Sequence, residues 1–147
     1  MRSLVTLSLS LAVILTPSAA AGQTAADSAR LIATAKDYIE GWYQGDAARM
    51  ARSLHPELVK SLHTQDTESG RWVVDNQGAS GLTNGTARGG GTRTPKDKQR
   101  TDVRILDVFQ NAAVVRVDAD SWVDFLQLVR EGERWVILNV LWELRPS

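Results

Sequence analysis

The chain has 147 residues, including 17 basic and 17 acidic side chains, and it contains no cysteine. A chain of this length suits one domain with a single hydrophobic core. Its balanced charge gives no field that would attract nucleic acid or an anionic membrane surface, and the lack of cysteine excludes disulfides, thiolate metal sites and a cysteine nucleophile.

Residues 1–21 have the pattern of a secretory signal peptide. Arg2 gives a positive start, an apolar run follows from Leu4 to Leu15, and a stretch of small residues ends at Ala21. The apolar run is shorter than the ~20 residues of a membrane-spanning helix, so an uncleaved anchor is the weaker alternative. We therefore expect cleavage near Ala21 and a periplasmic or secreted protein without membrane contact. Cleavage would remove Arg2 and no acidic residue, so the single mature domain, residues 22–147, would have 16 basic and 17 acidic side chains.

The first part of this domain predicts three helices. The first helix begins near Asp27 and ends at Gly45, where glycine permits a left-handed cap. Asp46 can cap a second helix, and Pro56 suits the first position of a short third one. The first helix carries an apolar stripe at helical spacing: Leu31, Ala35, Tyr38 and Trp42.

The helical period is lost from Gly70 onwards. Arg71–Asp75 is short and favours a strand, and residues 76–100 contain six of the eleven glycines. A structureless loop of that length is unusual in a compact domain. The segment is therefore either a functional loop or a poor helix around Ala79–Arg88.

The last third of the chain predicts an antiparallel sheet. Extended segments separated by short turns force neighbouring strands to run in opposite directions. The final strand is apolar on both faces, so helices would cover one face and a partner subunit or a bent sheet the other. The predicted segments are Thr101–Phe109, Ala112–Asp120, Ser121–Arg130 and Arg134–Leu144.

This order of elements, together with several local motifs, is similar to the NTF2-like (SnoaL-like) superfamily and, within it, to the putative lumazine-binding branch. The motifs are Asp37–Tyr43 with Gly45 and Asp46, Leu54–Leu58, Arg88–Gly91, the strand pair Val103–Val117, Trp122–Leu126 and Arg134–Trp142. The resemblance implies an α+β cone, in which three N-terminal helices pack on a strongly curved antiparallel sheet. It also implies a small-molecule pocket between the helices and the concave face of the sheet, and pairing of two subunits through the sheet.

Aromatic side chains are the candidate ligand-binding residues. Tyr38 and Trp42 lie one turn apart on the first helix and would face the pocket, and Trp72, Trp122 and Phe125 come from segments that can reach the same cavity. Such rings can sandwich a flat heteroaromatic molecule, for example a pterin or a flavin-like ring. The alternative is that they only fill the hydrophobic core.

His55 is the histidine of interest, since it precedes Pro56 at a predicted helix start and titrates near neutral pH. It can point into the pocket as a binding or catalytic group, or it can cap the third helix. A metal site is not expected, because His63 is eight residues away and no carboxylate lies at ligand spacing from either histidine.

Three aspartates, Asp118, Asp120 and Asp124, lie at alternate positions and would share one face of a straight strand. A carboxylate walled by Trp122 would have a raised pKa and could move a proton. A bend near Ser121 would separate the three side chains.

Three functions therefore remain open. The first is an exported protein that binds a small, largely apolar or heteroaromatic molecule without a cofactor. The second is a cofactor-independent isomerase, dehydratase or cyclase, with Asp120 or Asp124 as the base and with His55 and Tyr38 as orienting groups. The third is a homodimeric interaction module whose cavity is only core.

Overall fold

The computed structural model describes residues 24–146, and the predicted signal peptide lies outside this range. Within it, three α-helices and a short 3-10 helix accompany six strands. The helices are α1 (Ala25–Gln44), α2 (Ala47–Ser53) and α3 (Ala79–Ala87), and the 3-10 turn covers Lys96–Lys98. The strands are β1 (Leu54–Gln65), β2 (Trp72–Gly78), β3 (Asp102–Phe109), β4 (Ala112–Asp118), β5 (Trp122–Glu131) and β6 (Arg134–Leu144).

The strands form one sheet in the order β2-β1-β6-β5-β4-β3. Neighbouring strands are antiparallel except for β1 and β6, which are parallel, so the sheet is mixed. The register shifts between β1 and β6, between β3 and β4 and between β5 and β6, and such bulges bend strands. The sheet is curved but not closed, and the helices pack on it, which confirms the α+β cone.

The corner between α1 and α2 forms as the sequence predicts. Gly45 ends α1 in the left-handed region at φ 70°, which only glycine adopts readily. The Asp46 side chain then accepts the backbone N–H of Arg49 at 2.9 Å and caps α2. Because this turn is so short, α2 folds back against α1 and extends the helical layer over the sheet.

The helix predicted after Pro56 is wrong, because Leu54–Gln65 is strand β1. Leu58 and Leu62 are four residues apart, a spacing that places both on one side of a helix and equally on one face of a strand. The strand is selected because β1 is paired along both edges, with β2 and with β6. The third helix of the cone is instead α3, in the glycine-rich segment.

A bulge at Leu138 changes the faces predicted for the last strand. Alternation puts Trp135 and Ile137 on one face and Val140 and Trp142 on the other. In the structure Leu138 is skipped in the pairing of β6 with β5. Trp135, Ile137 and Val140 therefore all join the hydrophobic core beneath the helices, and Trp142 packs against it.

No helix among residues 24–146 is long and apolar enough to cross a membrane.

Candidate functional site

An apolar cavity of about 300 Å³ lies between the helices and the inner face of the sheet. All three helices and the strands β1, β2, β5 and β6 contribute to its walls. This volume is at the lower end of the range for small-molecule pockets. The lining residues are Tyr38, Ile39, Trp42, Met50, Lys60, Gln77, Leu82, Trp122, Trp142 and Leu144.

Aromatic rings form much of the cavity wall. Tyr38 and Trp42 contribute from α1, as predicted from their spacing, Trp122 contributes from β5, and Trp142 contributes from β6. Tyr43 supports Trp122 at a ring-centroid distance of 6.1 Å. Three of the five tryptophans therefore meet at one cavity.

A buried polar cluster lies at one side of this cavity, and we call Tyr38, Lys60, Trp122 and Asp124 the Lys60 cluster. Lys60 Nζ donates hydrogen bonds to Tyr38 Oη at 2.7 Å and to Asp124 Oδ1 at 2.5 Å. Trp122 Nε1 donates to the other carboxylate oxygen, Oδ2, at 2.7 Å. Asp124 is fully buried and Lys60 is 8% exposed, so the ion pair is almost completely removed from water.

Burial also changes the proton affinities in the cluster. It lowers the pKa of Lys60, and the negative charge of Asp124 opposes this shift only in part. It raises the pKa of the Tyr38 hydroxyl well above its usual range, and the Asp124 carboxylate raises that pKa further. Tyr38 therefore keeps its proton, whereas the Lys60 amine is brought closer to its neutral, nucleophilic form.

Lys60 reaches the cavity surface, and Asp124 lies behind it. Lys60 and Tyr38 are lining residues, while Asp124 does not line the cavity and contacts it through Lys60 and Trp122. A ligand would thus meet an ammonium or amine group and a phenol, and Asp124 would act through them.

His55 lies away from the cavity. Its Nδ1 accepts the backbone N–H of Glu57 at 3.0 Å, and its Nε2 lies 3.2 Å from Glu131 Oε1 at the end of β5. Asp124 lies seven residues earlier on the same strand, which corresponds to roughly 23 Å along an extended chain. The structure therefore does not bring His55 and Asp124 together.

The aspartates of β4 and β5 are also separated. Asp120 lies in the bend between these strands, where its backbone N–H donates to Tyr43 Oη at 3.1 Å, and it does not line the cavity. Asp118 binds Arg116 and Arg145, whose hydrogen bonds lower its pKa to about 2. Of the three predicted carboxylates, only Asp124 belongs to the Lys60 cluster.

Trp72 and Phe125 lie on the outer face of the sheet, opposite the helices. Phe125 follows Asp124 directly, so alternation turns its ring outward, where the Arg116 guanidinium lies 5.8 Å from the ring centroid. Trp72 is 65% exposed and stacks on His63 at 4.7 Å. Neither ring lines the cavity.

Lys60 is the functional candidate that the sequence analysis missed. In a helix, Leu58 and Leu62 share a side and Lys60 points elsewhere, but in a strand all three share a face. A lysine between two leucines on the inner face of a strand would have been a clear signal. It was hidden because the segment was interpreted as a helix.

Glycines of the segment after α3 hold Trp42 in place. A Cβ built on Gly90 would lie 2.3 Å from Trp42 Cη2, and one on Gly91 would lie 2.4 Å from Trp42 Cδ1. Such distances are impossible for real side chains, so only glycine allows the chain to approach the ring this closely. We call residues 88–93 the cover segment, because they lie over the tryptophan that forms one wall of the cavity.

The described residues offer no evident metal site. Between residues 24 and 146 there is no group of three or more His, Asp or Glu side chains that could hold a metal ion. In the same range every buried side-chain nitrogen and oxygen has a hydrogen-bond partner.

Several solved structures are similar to this one in fold. An NTF2-like protein of unknown function from Methylobacillus flagellatus KT has a TM-score of 0.63 and 16% sequence identity, over 84% of this chain and 95% of that chain. A second NTF2-like protein of unknown function, from Shewanella baltica OS155, has a TM-score of 0.60 and 16% sequence identity, over 86% of this chain and 100% of that chain. A ketosteroid isomerase-like protein from Erwinia carotovora atroseptica SCRI1043 has a TM-score of 0.51 and 12% sequence identity, over 81% of this chain and 96% of that chain. At these identities the likeness concerns the fold alone.

No curated protein matches this sequence. A family model described as Putative lumazine-binding matches residues 26–143. That range contains nearly the whole described domain and every cavity residue except Leu144. The chain therefore belongs to the Putative lumazine-binding family and has the NTF2-like fold.

Proposed function

We propose that this chain is an exported protein that binds a small, flat, largely apolar molecule of the lumazine-like or another heteroaromatic type. The observation that carries this proposal is the cavity itself, which has tryptophan walls and the Lys60 cluster at one side. The family match supports a small-molecule ligand. The signal-peptide pattern of residues 1–21 supports export.

The geometry suits a ring with apolar faces and a polar edge. Its faces would stack on Trp42 and Trp142. A carbonyl at its edge would accept a hydrogen bond from Lys60 Nζ, which has three N–H groups and uses two of them on Tyr38 and Asp124. A ligand of this kind satisfies both parts of the cavity, whereas a purely aliphatic one would leave the polar edge without a partner.

Titration of the intrinsic tryptophan fluorescence with lumazine and riboflavin tests the proposal. We expect saturable quenching, and we expect Trp42→Ala to weaken binding about tenfold by removing a stacking wall. Trp72→Ala is the matched control, because it removes an exposed tryptophan outside the cavity and should leave the affinity unchanged. Equal affinities for the two variants, or no quenching by any flat heteroaromatic ring, would contradict the proposal.

Cofactor-independent proton transfer, as in an isomerase, dehydratase or cyclase, is the second candidate. The Lys60 cluster favours it, because an ion pair and a phenol in an apolar cavity are suited to moving protons. Binding remains the first choice because both oxygens of Asp124 already accept hydrogen bonds and the side chain does not face the cavity. In an enzyme, Lys60 and Tyr38 would therefore meet the substrate, and His55 and Asp120 would not.

We also propose that two copies of the chain pair through the outer face of the sheet. This face carries exposed apolar side chains next to one another, among them Phe125 and Leu141, which are partners in the register of β5 and β6. Leu141 is 57% exposed, so pairing would remove it from water. Analytical ultracentrifugation should show that the unaltered protein sediments as a dimer and that the Leu141→Glu variant sediments as a monomer. The control is Ile32→Glu on the exposed side of α1, which should remain a dimer. A monomer for the unaltered protein would rule out this dimer.

A further inference from the structure

We propose that Lys60 is a nucleophilic amine, which forms a reversible imine with the aldehyde or ketone group of a flat aromatic ligand. This inference rests on the proposed binding function, and it assigns to the same cavity a covalent chemistry and a ligand class. It makes Lys60 the residue that distinguishes carbonyl compounds from other rings of similar size.

The first argument is the position of the amine. Lys60 is the only lysine among the residues that line the cavity of the described domain. Its Nζ lies 4.8 Å from the centroid of the Trp142 ring and 5.4 Å from that of Tyr38. A ring stacked on Trp142 would therefore present a carbonyl substituent within reach of Nζ.

The second argument is the proton acceptor. An ammonium group cannot attack a carbonyl carbon, so the amine must first lose a proton. Asp124 Oδ1 lies 2.5 Å from Nζ and can receive that proton directly. Burial favours the loss of this proton from Lys60, since it lowers the pKa of the amine.

The third argument is that a purely structural role would not require charge here. Hydrophobic residues of similar volume commonly replace a buried ion pair without loss of stability. An ion pair whose amine lies at the surface of an apolar cavity instead places reactive chemistry where a ligand would bind. Asp124 is a positioning residue in this scheme, because it acts on the ligand only through Lys60.

The reaction balances without any oxidant or reductant. Asp124 takes a proton from the ammonium, the Nζ lone pair forms the C–N bond, and the π electrons of the carbonyl move to its oxygen. A proton passes from nitrogen to this oxygen and gives a carbinolamine. Asp124 then returns its proton to Nζ, a proton passes from Nζ to the hydroxyl group, water leaves, and the nitrogen lone pair forms the C=N bond. The protonated imine keeps one positive charge beside the Asp124 carboxylate, so the ion pair is restored, and hydrolysis reverses each step.

The experiment is reductive trapping with naphthaldehyde, a flat aromatic aldehyde, and sodium cyanoborohydride. Intact mass and peptide mapping should show one naphthylmethyl group on Lys60, formed at least about tenfold faster than on Lys36, Lys96 or Lys98. The rate should rise with pH, because the neutral amine is the reactive form. Asp124→Asn should slow trapping at Lys60 and leave the other three lysines unchanged.

Two further variants and a second ligand keep the outcomes distinct. Lys60→Met should lose the fast adduct, and the double variant Lys60→Met/Asp124→Leu should lose it while removing the buried ion pair as a whole and keeping the fold. Naphthalenemethanol has the same ring but no carbonyl, so its quenching of tryptophan fluorescence measures binding alone. Quenching without a Lys60 adduct, or equal labelling of all lysines, would overturn the imine and leave the binding function standing. If the experiment showed no quenching and no adduct, both the imine and the proposed binding function would be overturned.

Discussion

Replacing Asp124 by alanine should destabilise the folded protein by about 3–5 kcal/mol, because it leaves the Lys60 ammonium buried without a counter-charge. Among the described residues, Lys60 would keep only the neutral Tyr38 hydroxyl as a hydrogen-bond partner, and Trp122 Nε1 would lose its acceptor. Urea unfolding followed by tryptophan fluorescence measures the change. We expect a lower midpoint with little change in the denaturant slope.

The matched control for this prediction is Asp102→Ala. Asp102 is likewise paired with a basic side chain, Arg100, at 3.2 Å, but its side chain is 72% exposed. Its loss should cost less than about 1 kcal/mol, since water replaces the partner. The double variant Lys60→Met/Asp124→Leu should recover most of the stability that Asp124→Ala loses. Similar losses for Asp124→Ala and Asp102→Ala would show that the buried ion pair is not as isolated from water as the structure indicates.

Replacing Gly91 by alanine should destabilise the protein by about 1–3 kcal/mol, the usual range for overpacking a tightly packed site. The new Cβ would lie 2.4 Å from Trp42 Cδ1 and 2.6 Å from the backbone oxygen of Trp42. Rotation of the indole can relieve the first contact but not the second, because the backbone oxygen is fixed within α1. The cover segment must therefore move away from the cavity wall, and ligand affinity should fall together with stability.

Gly85→Ala is the matched control for Gly91→Ala. Gly85 faces the same ring from within α3, but its added Cβ would lie 3.8 Å from Trp42 Cζ3, an ordinary contact. Alanine is also the better helix former by about 0.5–1 kcal/mol, so this variant should be unchanged or slightly more stable. Thermal unfolding compares the two variants. A Gly91→Ala protein as stable as Gly85→Ala would mean that the cover segment does not hold Trp42.

Much of the fold could be predicted because its signals are local. The corner at Gly45 and Asp46 needs only the left-handed glycine and the side-chain cap that follows it. The hairpin between β5 and β6 needs only Gly132, at φ 60°, between two apolar runs. The resemblance to the NTF2-like superfamily then predicts how these elements are arranged in a cone.

The candidate site was predicted only in part. Tyr38 and Trp42 were found because the period of a helix places both on one side, which faces the cavity. Asp124 was singled out for its position near Trp122, and the structure places both in the Lys60 cluster. Phe125 was assigned to the cavity, although its place directly after Asp124 in a strand turns it to the opposite face.

The sequence by itself determined the features that depend on neighbours within a few residues: the helix caps, the turns, the apolar stripe of α1 and the alternation along the later strands. Only the tertiary structure decided that residues 54–65 form a strand, because the spacing of Leu58 and Leu62 fits either conformation. Pairing with β6, whose residues lie far along the chain, selects the extended form. The same long-range pairing turns Lys60 inward to meet Asp124, 64 residues away, and so creates the buried ion pair on which the proposed chemistry depends.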